Sequence, residues 1–166
     1  MSQNSNKIRW CINKAKRELE EKGMHRGLLE QEPNTGLAVK HIAKAEHNLD
    51  AALFFAENGY SDWPVSAFFY CIYHCFLAIL RKYGYESGNQ ECTIAVIGML
   101  KEEGKINMDD RLVNTLTLAK DDAHNTIKIR EDFQYGTETE VNSQKLETLK
   151  DLCKEAIEEA KKIIYS

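Results

Sequence analysis

Proline and glycine are scarce in this sequence, which has 2 prolines and 9 glycines among its 166 residues. That scarcity excludes collagen-like repeats and disordered segments rich in both residues. The composition is 43% hydrophobic and 29% charged, which is typical of a folded protein, and the length predicts one domain with at most one appendage. We therefore expect a folded chain with long uninterrupted elements.

Positive charge is not in excess either. The chain carries 22 lysines and arginines against 26 aspartates and glutamates, so its formal net charge is −4. This balance excludes a chain-wide electrostatic attraction to nucleic acid or to an anionic membrane. Any contact with RNA would have to use a local basic patch.

The sequence also lacks the features of a secreted or membrane protein. Its first residues, "MSQNSNKIRW", contain no apolar segment of the kind found in signal peptides, and its five cysteines are an odd number. We therefore predict a reduced, cytoplasmic protein with free thiols. The longest mainly apolar stretch, residues 63–80, contains Pro64 and His74 and is followed at once by Arg81. This pattern favours a buried core helix over a membrane span, and no membrane partner is expected.

Apolar residues recur at spacings of three and four along most of the chain, which is the helical pattern. No segment alternates like a strand over a useful length. Ser61 and Asp62 are expected to cap the third helix, with Pro64 in its first turn. The pattern predicts six helices, over about residues 4–22, 37–58, 63–83, 90–103, 109 onwards and 143–165.

We therefore predict an all-α fold, an antiparallel up-and-down bundle of four to five long helices plus an N-terminal helix. Residues 1–30 would form the N-terminal helix and its linker, and residues 37–165 would form the bundle.

Cys71, His74 and Cys75 share one face of the third helix, which is a spacing that zinc ligands use. No second ligand pair stands elsewhere in the sequence, and cysteine is among the most buried residue types. We therefore expect no metal and no cofactor, and we interpret His74 as a core or interface histidine bonded to a neighbour.

The remaining histidines give weaker patterns. His41 and His47 are six residues apart, so they do not share a helix face. His124 follows Asp121 and Asp122, which is the pattern of a base with a carboxylate or simply of a solvated face. The signatures GxSxG, GxxxxGK[ST] and GxGxxG are absent from the sequence.

The segment "KIREDFQYG", residues 128–136, stands apart because it places an arginine on a core stripe. The apolar positions of the fifth helix continue in steps of three and four onto Arg130. A buried guanidinium is costly unless its donors are paired. Arg130 must therefore meet a ligand, a second subunit, backbone carbonyls or a carboxylate, the last being Glu131 or an acid of the second helix.

Four segments in succession resemble the helices of the HEPN domain family, a nucleotide-binding helical bundle of prokaryotes and eukaryotes. They are "IAKAEHNLDAALFFAENGY", "WPVSAFFYCIYHCFLAIL", "KYGYESGNQECTIAVIGMLKEEGKI" and "IREDFQYG". The likeness covers about residues 37–164, and residues 4–29 resemble the extra leading helix that some members carry.

The resemblance implies an antiparallel bundle that works as a homodimer. Many members are metal-independent ribonucleases, often toxins encoded beside a small nucleotidyltransferase that serves as antitoxin. Active members carry an arginine, an adjacent polar residue and a histidine four to six residues further along. Two copies of that motif meet at the dimer interface, where the arginine steadies the phosphate and the histidine helps activate the ribose 2′-hydroxyl.

On this chain, Arg130 matches the motif's arginine and Glu131 its polar neighbour, but Tyr135 stands where a histidine could be. Tyrosine is a poor general base at neutral pH because its reference pKa is about 10. On an ideal helix, Arg130 and Tyr135 also point about 140° apart. The departure suggests the subgroup without the complete ribonuclease motif.

The sequence therefore predicts a homodimeric module that binds a nucleotide, an RNA or a minimal nucleotidyltransferase partner, without nuclease activity of its own. Its ligand-binding candidates are Arg130, Glu131, Tyr135 and His74. The first alternative is a metal-independent endoribonuclease, the toxin of a toxin–antitoxin pair, with Arg130 and Tyr135 as catalytic residues or with His74 or His124 as the histidine. The second is a dimerisation scaffold.

Overall fold

The computed structural model describes residues 2–116, 135–137 and 139–166. This part of the chain contains six α-helices and two short strands. In chain order they are α1 (Gln3–Lys22), β1 (Leu28–Glu30), α2 (Thr35–Glu57), α3 (Trp63–Lys82), β2 (Tyr85–Ser87), α4 (Gln90–Glu102), α5 (Asp110–Asn114) and α6 (Ser143–Tyr165). The all-α helical bundle predicted from the sequence is confirmed.

Helix α3 is the centre of the bundle, with eleven of its twenty residues buried. It packs against α2, α4 and α6, while α1 packs on α4 and on β1. Its length and apolar composition would suffice to cross a membrane, but 61% of its most apolar window is buried inside the protein. Such burial is typical of a core helix.

Contacts at the helix ends fix the relative directions of the three main helices. The amide of Asn34, before α2, donates to the carbonyl oxygen of Arg81 near the end of α3 at 2.9 Å, so α2 and α3 form an antiparallel hairpin. Lys82 at the end of α3 donates from Nζ to the carbonyl oxygen of Ile163 at 2.6 Å. Helix α6 therefore ends beside the end of α3 and runs opposite to α2.

Asparagine side chains fix the starts of three helices, because an Asn oxygen can accept from a free amide of the first turn. The oxygens of Asn34, Asn89 and Asn142 accept from the amides of Leu37, Cys92 and Gln144. Helix α3 differs from our prediction: Asp62 occupies its N-cap position but makes no capping bond with its side chain.

Two short strands accompany the helices, although no segment of the sequence alternates like a strand over a useful length. Strands β1 and β2 pair antiparallel, with Leu28 opposite Ser87 and Glu30 opposite Tyr85. Three residues each are too few to show an alternating pattern, and such a hairpin-sized sheet needs support from its surroundings. Leu28 is fully buried, and Gly84 (φ +83°) allows a close turn in which a Cβ would lie 2.5 Å from the carbonyl oxygen of Gln31.

The expectation of free thiols was wrong for two of the five cysteines. Cys11 of α1 and Cys92 of α4 form a disulfide across 81 residues of sequence, with their Cα atoms 6.0 Å apart. The other three, Cys71, Cys75 and Cys153, are free and buried. The pairing of Cys11 with Cys92 was not predictable, because the connectivity of cysteines does not follow from their spacing.

Candidate functional site

Two of the predicted ligand-binding residues, Arg130 and Glu131, lie outside the described residues, as do Asp121, Asp122 and His124. Tyr135 is described, and 78% of its surface is exposed. Within the part of the chain that the structure describes, no hydrogen bond or ring contact joins Tyr135 to His74. The structure therefore does not bring these two predicted site residues together.

The chain just after Tyr135 is hydrogen-bonded to the turn between α2 and α3. The hydroxyl of Ser61 donates to the carbonyl oxygen of Thr139 at 3.4 Å and accepts from the amide of Val141 at 3.1 Å. This explains why Ser61 does not cap α3. Tyr135 is four residues before Thr139, so it lies within about 14 Å of this anchor.

His74, the remaining predicted site residue, is paired with His41 between α2 and α3. The two Nδ1 atoms are 2.9 Å apart, and the rings are stacked with centroids 5.2 Å apart. Because one nitrogen must donate and the other must accept, the contact requires at least one of the two imidazoles to be neutral at Nδ1. His74 is therefore bonded to a neighbour, as the sequence predicted.

The surroundings keep the pair uncharged at neutral pH. Burial, then His74, then Arg81 lower the pKa of His41 from 6.5 to about 4. Burial, then Lys44, lower the pKa of His74 as well. Burial removes the stabilisation that water gives to a protonated imidazole, and the nearby charges of Arg81 and Lys44 disfavour a further positive charge.

Neutral imidazoles at this site have limited chemistry. They do not attract a phosphate, and a base with a pKa of about 4 accepts protons weakly at pH 7. Two nitrogens alone also fall short of the four ligands that zinc prefers. Among the described residues no group of three or more histidines, cysteines or acids is arranged to hold a metal ion. The arrangement favours a structural or positioning role for the pair.

Tyr73 links this region to α4. Its hydroxyl lies 3.5 Å from the hydroxyl of Thr93, which is fully buried, and its ring meets that of His74 edge to face at 6.4 Å. Burial raises the pKa of the Tyr73 phenol, so it stays protonated at neutral pH. The two histidines, the phenol and the buried threonine form a row of polar groups between α2, α3 and α4, among mainly apolar side chains.

A third histidine in a fixed polar contact is His25, before β1. Its Nε2 lies 3.1 Å from a carboxylate oxygen of Glu86, and its Nδ1 accepts from the amide of Gly27 at 3.1 Å. Nε2 therefore joins the N-terminal segment to β2, whereas Nδ1 fixes the backbone just before β1. His47 lies on the exposed side of α2.

The thiols that shared a helix face with His74 point into the core. Cys153 of α6 lies 3.4 Å from the carbonyl oxygen of Phe68, within range of a weak S–H donor. The contact with Cys71 and burial raise the pKa of Cys75 well above its usual range, and burial raises that of Cys153. Cys75 and Cys153 are therefore protonated and inert, whereas their hydrogen bonds to Cys71 lower the pKa of that thiol to about 5.

Sequence reasoning missed His41 as the partner of His74, because it tested His41 only against His47. The available signal was the hairpin, because two antiparallel helices bring residues of α2 opposite residues of α3. His41 lies seven residues after Asn34 and His74 seven residues before Arg81, and the backbones of Asn34 and Arg81 are hydrogen-bonded at the far end of the hairpin. That pairing needs the tertiary arrangement and not helical spacing alone.

Comparison with known proteins identifies the family of this chain. A family model described as HEPN domain matches residues 38–165, more than three quarters of the chain. A search of curated proteins finds no match. Helix α1 and strand β1 precede the matched residues, whereas the histidine pair and the segment "KIREDFQYG" lie within them.

Proposed function

The chain belongs to the HEPN domain family, and on that premise we propose that it is a homodimeric module binding an RNA, a nucleotide or a nucleotidyltransferase partner, without nuclease activity of its own. Arg130 is the residue that contacts the anionic ligand or the second subunit, with Glu131 and Tyr135 beside it. The proposal concerns a cytoplasmic protein that uses no metal or cofactor.

The observation that carries this proposal is the state of His74. It is the described residue that could have replaced the motif's missing histidine, but it bonds to His41 and its pKa is lowered. A ribonuclease needs a group that exchanges a proton with the ribose 2′-hydroxyl near neutral pH. The position five residues after Arg130 holds an exposed tyrosine instead.

The test is a pair of assays on the purified full chain and on Arg130→Ala. In the first, mixed RNAs are incubated with the protein in the presence of EDTA and resolved on a gel, and we expect no cleavage. In the second, the anisotropy of a labelled RNA and of a labelled ATP is titrated, and we expect Arg130→Ala to weaken binding of at least one ligand about tenfold, the effect of about 1.4 kcal/mol.

Arg111→Ala is the matched control, because Arg111 is an exposed arginine whose Nη2 already bonds to Glu155 at 3.0 Å. It should leave ligand binding unchanged. RNA cleavage that disappears in Arg130→Ala would show a ribonuclease and overturn the proposal. A dimer by light scattering that binds neither ligand, and that Arg130→Ala dissociates, would favour the scaffold, and a monomer would contradict the homodimer.

A further inference from the structure

The outer surface of α1 carries a local excess of positive charge that the net charge of the chain conceals. Residues 2–17 include no aspartate or glutamate. They include five cations on the first four turns of the helix: Lys7, Arg9, Lys14, Lys16 and Arg17. In a chain with a net charge of −4, this is the local basic patch that an RNA contact requires.

A tryptophan lies in the middle of this charged surface. Trp10 is 50% exposed, and the Nζ atoms of Lys7 and Lys14 lie 4.4 and 5.4 Å from the centre of its ring. Spacings of three, four and three residues put Lys7, Trp10, Lys14 and Arg17 on one face of the helix. The face is about 15 Å long between Lys7 and Arg17.

The opposite side of α1 is fixed to the bundle, so this face is held in place. Cys11 on that side is bonded to Cys92 of α4, and at the edge of the face Lys7 pairs with Glu91 at 2.7 Å. A Cβ added at Gly27 would lie 2.4 Å from the carbonyl oxygen of Cys11, so the chain before β1 also lies directly against the helix. A face that is ordered before binding loses less conformational entropy on binding.

We propose that the Lys7–Trp10–Lys14–Arg17 face of α1 binds single-stranded RNA. The cations would contact phosphates, and an unpaired base would stack on the exposed ring of Trp10. The ligand class rests on the proposed function, but the site is new, because α1 lies before the residues that the HEPN domain model matches.

Single-stranded RNA fits this face better than a duplex or a membrane surface. A base inside a duplex is already stacked and does not reach the ring of Trp10. Membrane binding by an amphipathic helix needs the apolar side to enter the lipid. That side of α1, with Ile8, Cys11 and Ala15, is buried against the bundle.

Acidic residues set the limits of the face. Glu91 pairs with Lys7 at one end, and Glu18 and Glu21 follow Arg17 at the other. The strongest attraction for phosphate is therefore expected around Lys14 and Arg17, on the C-terminal side of Trp10. The test therefore reverses the charge of these two residues.

The chain has 2 tryptophans, so a Trp63→Phe variant makes Trp10 the sole tryptophan and its fluorescence a direct report on the site. Titration of this variant with a twelve-residue oligouridylate should quench that fluorescence, because a base stacks on the ring. Adding Lys14→Glu and Arg17→Glu should weaken binding at least tenfold. It should also lower the slope of log K against log salt concentration by about 1.4, because two phosphate contacts are lost at about 0.7 each.

Lys154→Glu, which reverses an exposed lysine of α6, is the matched control and should change binding less than twofold. Lys14→Gln with Arg17→Gln provides a second variant of smaller effect should the double reversal fail to fold. Binding of the oligouridylate that neither pair of changes weakens would overturn the inference, as would binding to phosphatidylserine vesicles without binding to the RNA.

The outcomes also separate this inference from the proposed function. Oligouridylate binding that is lost in Arg130→Ala but retained in the Lys14 and Arg17 variants would overturn the α1 site alone. Binding lost in the α1 variants but retained in Arg130→Ala would support the α1 site and remove Arg130 from RNA binding. No binding of the RNA by any form of the protein would overturn the inference, while nucleotide or partner binding would still test the proposed function.

Discussion

Helix α1 and the α2–α3 hairpin place their basic nitrogen groups in opposite ways. On α1, lysines and arginines lie on the outer face of a helix attached to the bundle by a disulfide. Between α2 and α3, two imidazoles are half-buried and bonded to each other. Water stabilises the charges of the first group, whereas burial removes the charge of the second.

This difference bears on where the protein meets an anionic ligand. A neutral His41–His74 pair offers no attraction for phosphate at pH 7, although it lies within the HEPN region. The α1 face offers several cations, although it lies outside that region. The surface with the stronger expected attraction for phosphate is therefore indicated by the local charge and not by membership of the family.

The largest expected effect comes from the attachment of α1. Replacing Cys11 and Cys92 together by alanine removes a crosslink that closes a loop of about 80 residues. We expect the free energy of unfolding to fall by about 2–4 kcal/mol, because the unfolded chain regains the entropy that the loop had restricted. Urea denaturation of the oxidised protein and of the variant measures the difference.

Reduction of the wild-type protein with dithiothreitol should lower its stability to that of the double variant, and it should leave the variant unchanged. If both forms have the same urea midpoint before reduction, α1 is held by its other contacts and the contrast with the hairpin is weaker.

The sequence was sufficient to predict the helices, because apolar spacing and capping residues are local. The predicted bounds 143–165 agree with those of α6, and those of α1 to α4 agree within two residues. The fifth helix is the exception: its apolar stripe was expected to continue onto Arg130, but α5 ends at Asn114. The Cys11–Cys92 bond and the pairing of Leu28 with Ser87 were not predictable. Both join residues nearly sixty or more positions apart, and no local pattern reports such a contact.

A smaller effect is expected from the hairpin, as a dependence of stability on pH. The pKa of His41 is lowered from 6.5 to about 4 on folding, so between these values the unfolded chain binds more protons than the folded one. Acid therefore favours unfolding, and stability falls as the pH decreases from about 6.5 to about 4. Because the ring keeps part of its exposure, we expect a contribution of about 1–2 kcal/mol after solvent screening.

Other groups also titrate in this range, so the comparison must be made with His41→Gln. Urea midpoints at pH 7 and at pH 4.5 should differ less in this variant than in the wild type, by the amount expected for His41. His47→Gln, on the exposed side of the same helix, is the control and should titrate like the wild type. Equal pH dependence in all three would mean that the imidazoles of the hairpin are charged or freely solvated.

The candidate site was only partly accessible to sequence reasoning, for a physical reason. That His74 bonds to a neighbour follows from its place on an apolar helix, and the structure confirms it. The identity of the neighbour depends on how α2 lies against α3, which helical spacing does not contain. The roles of Arg130, Glu131 and Tyr135 stay predictions, since they depend on a ligand or a second subunit.

The smallest expected effect on stability comes from the outer face of α1. Its measurement tests most directly whether the cations of α1, unlike the imidazoles of the hairpin, are independent of folding. Lys14→Glu with Arg17→Glu changes a half-buried lysine and an exposed arginine, neither of which is among the residues that α1 buries, Ile8, Cys11 and Ala15. Surface substitutions of this kind shift the free energy of unfolding by about 0.5 kcal/mol or less. A thermal melt should therefore superimpose on that of the wild type, although the same variant loses RNA binding in the titration described above. A loss of more than about 1 kcal/mol would mean that these cations stabilise the fold itself. A binding face differs from a structural one in that its charge affects binding of the ligand without affecting the stability of the fold.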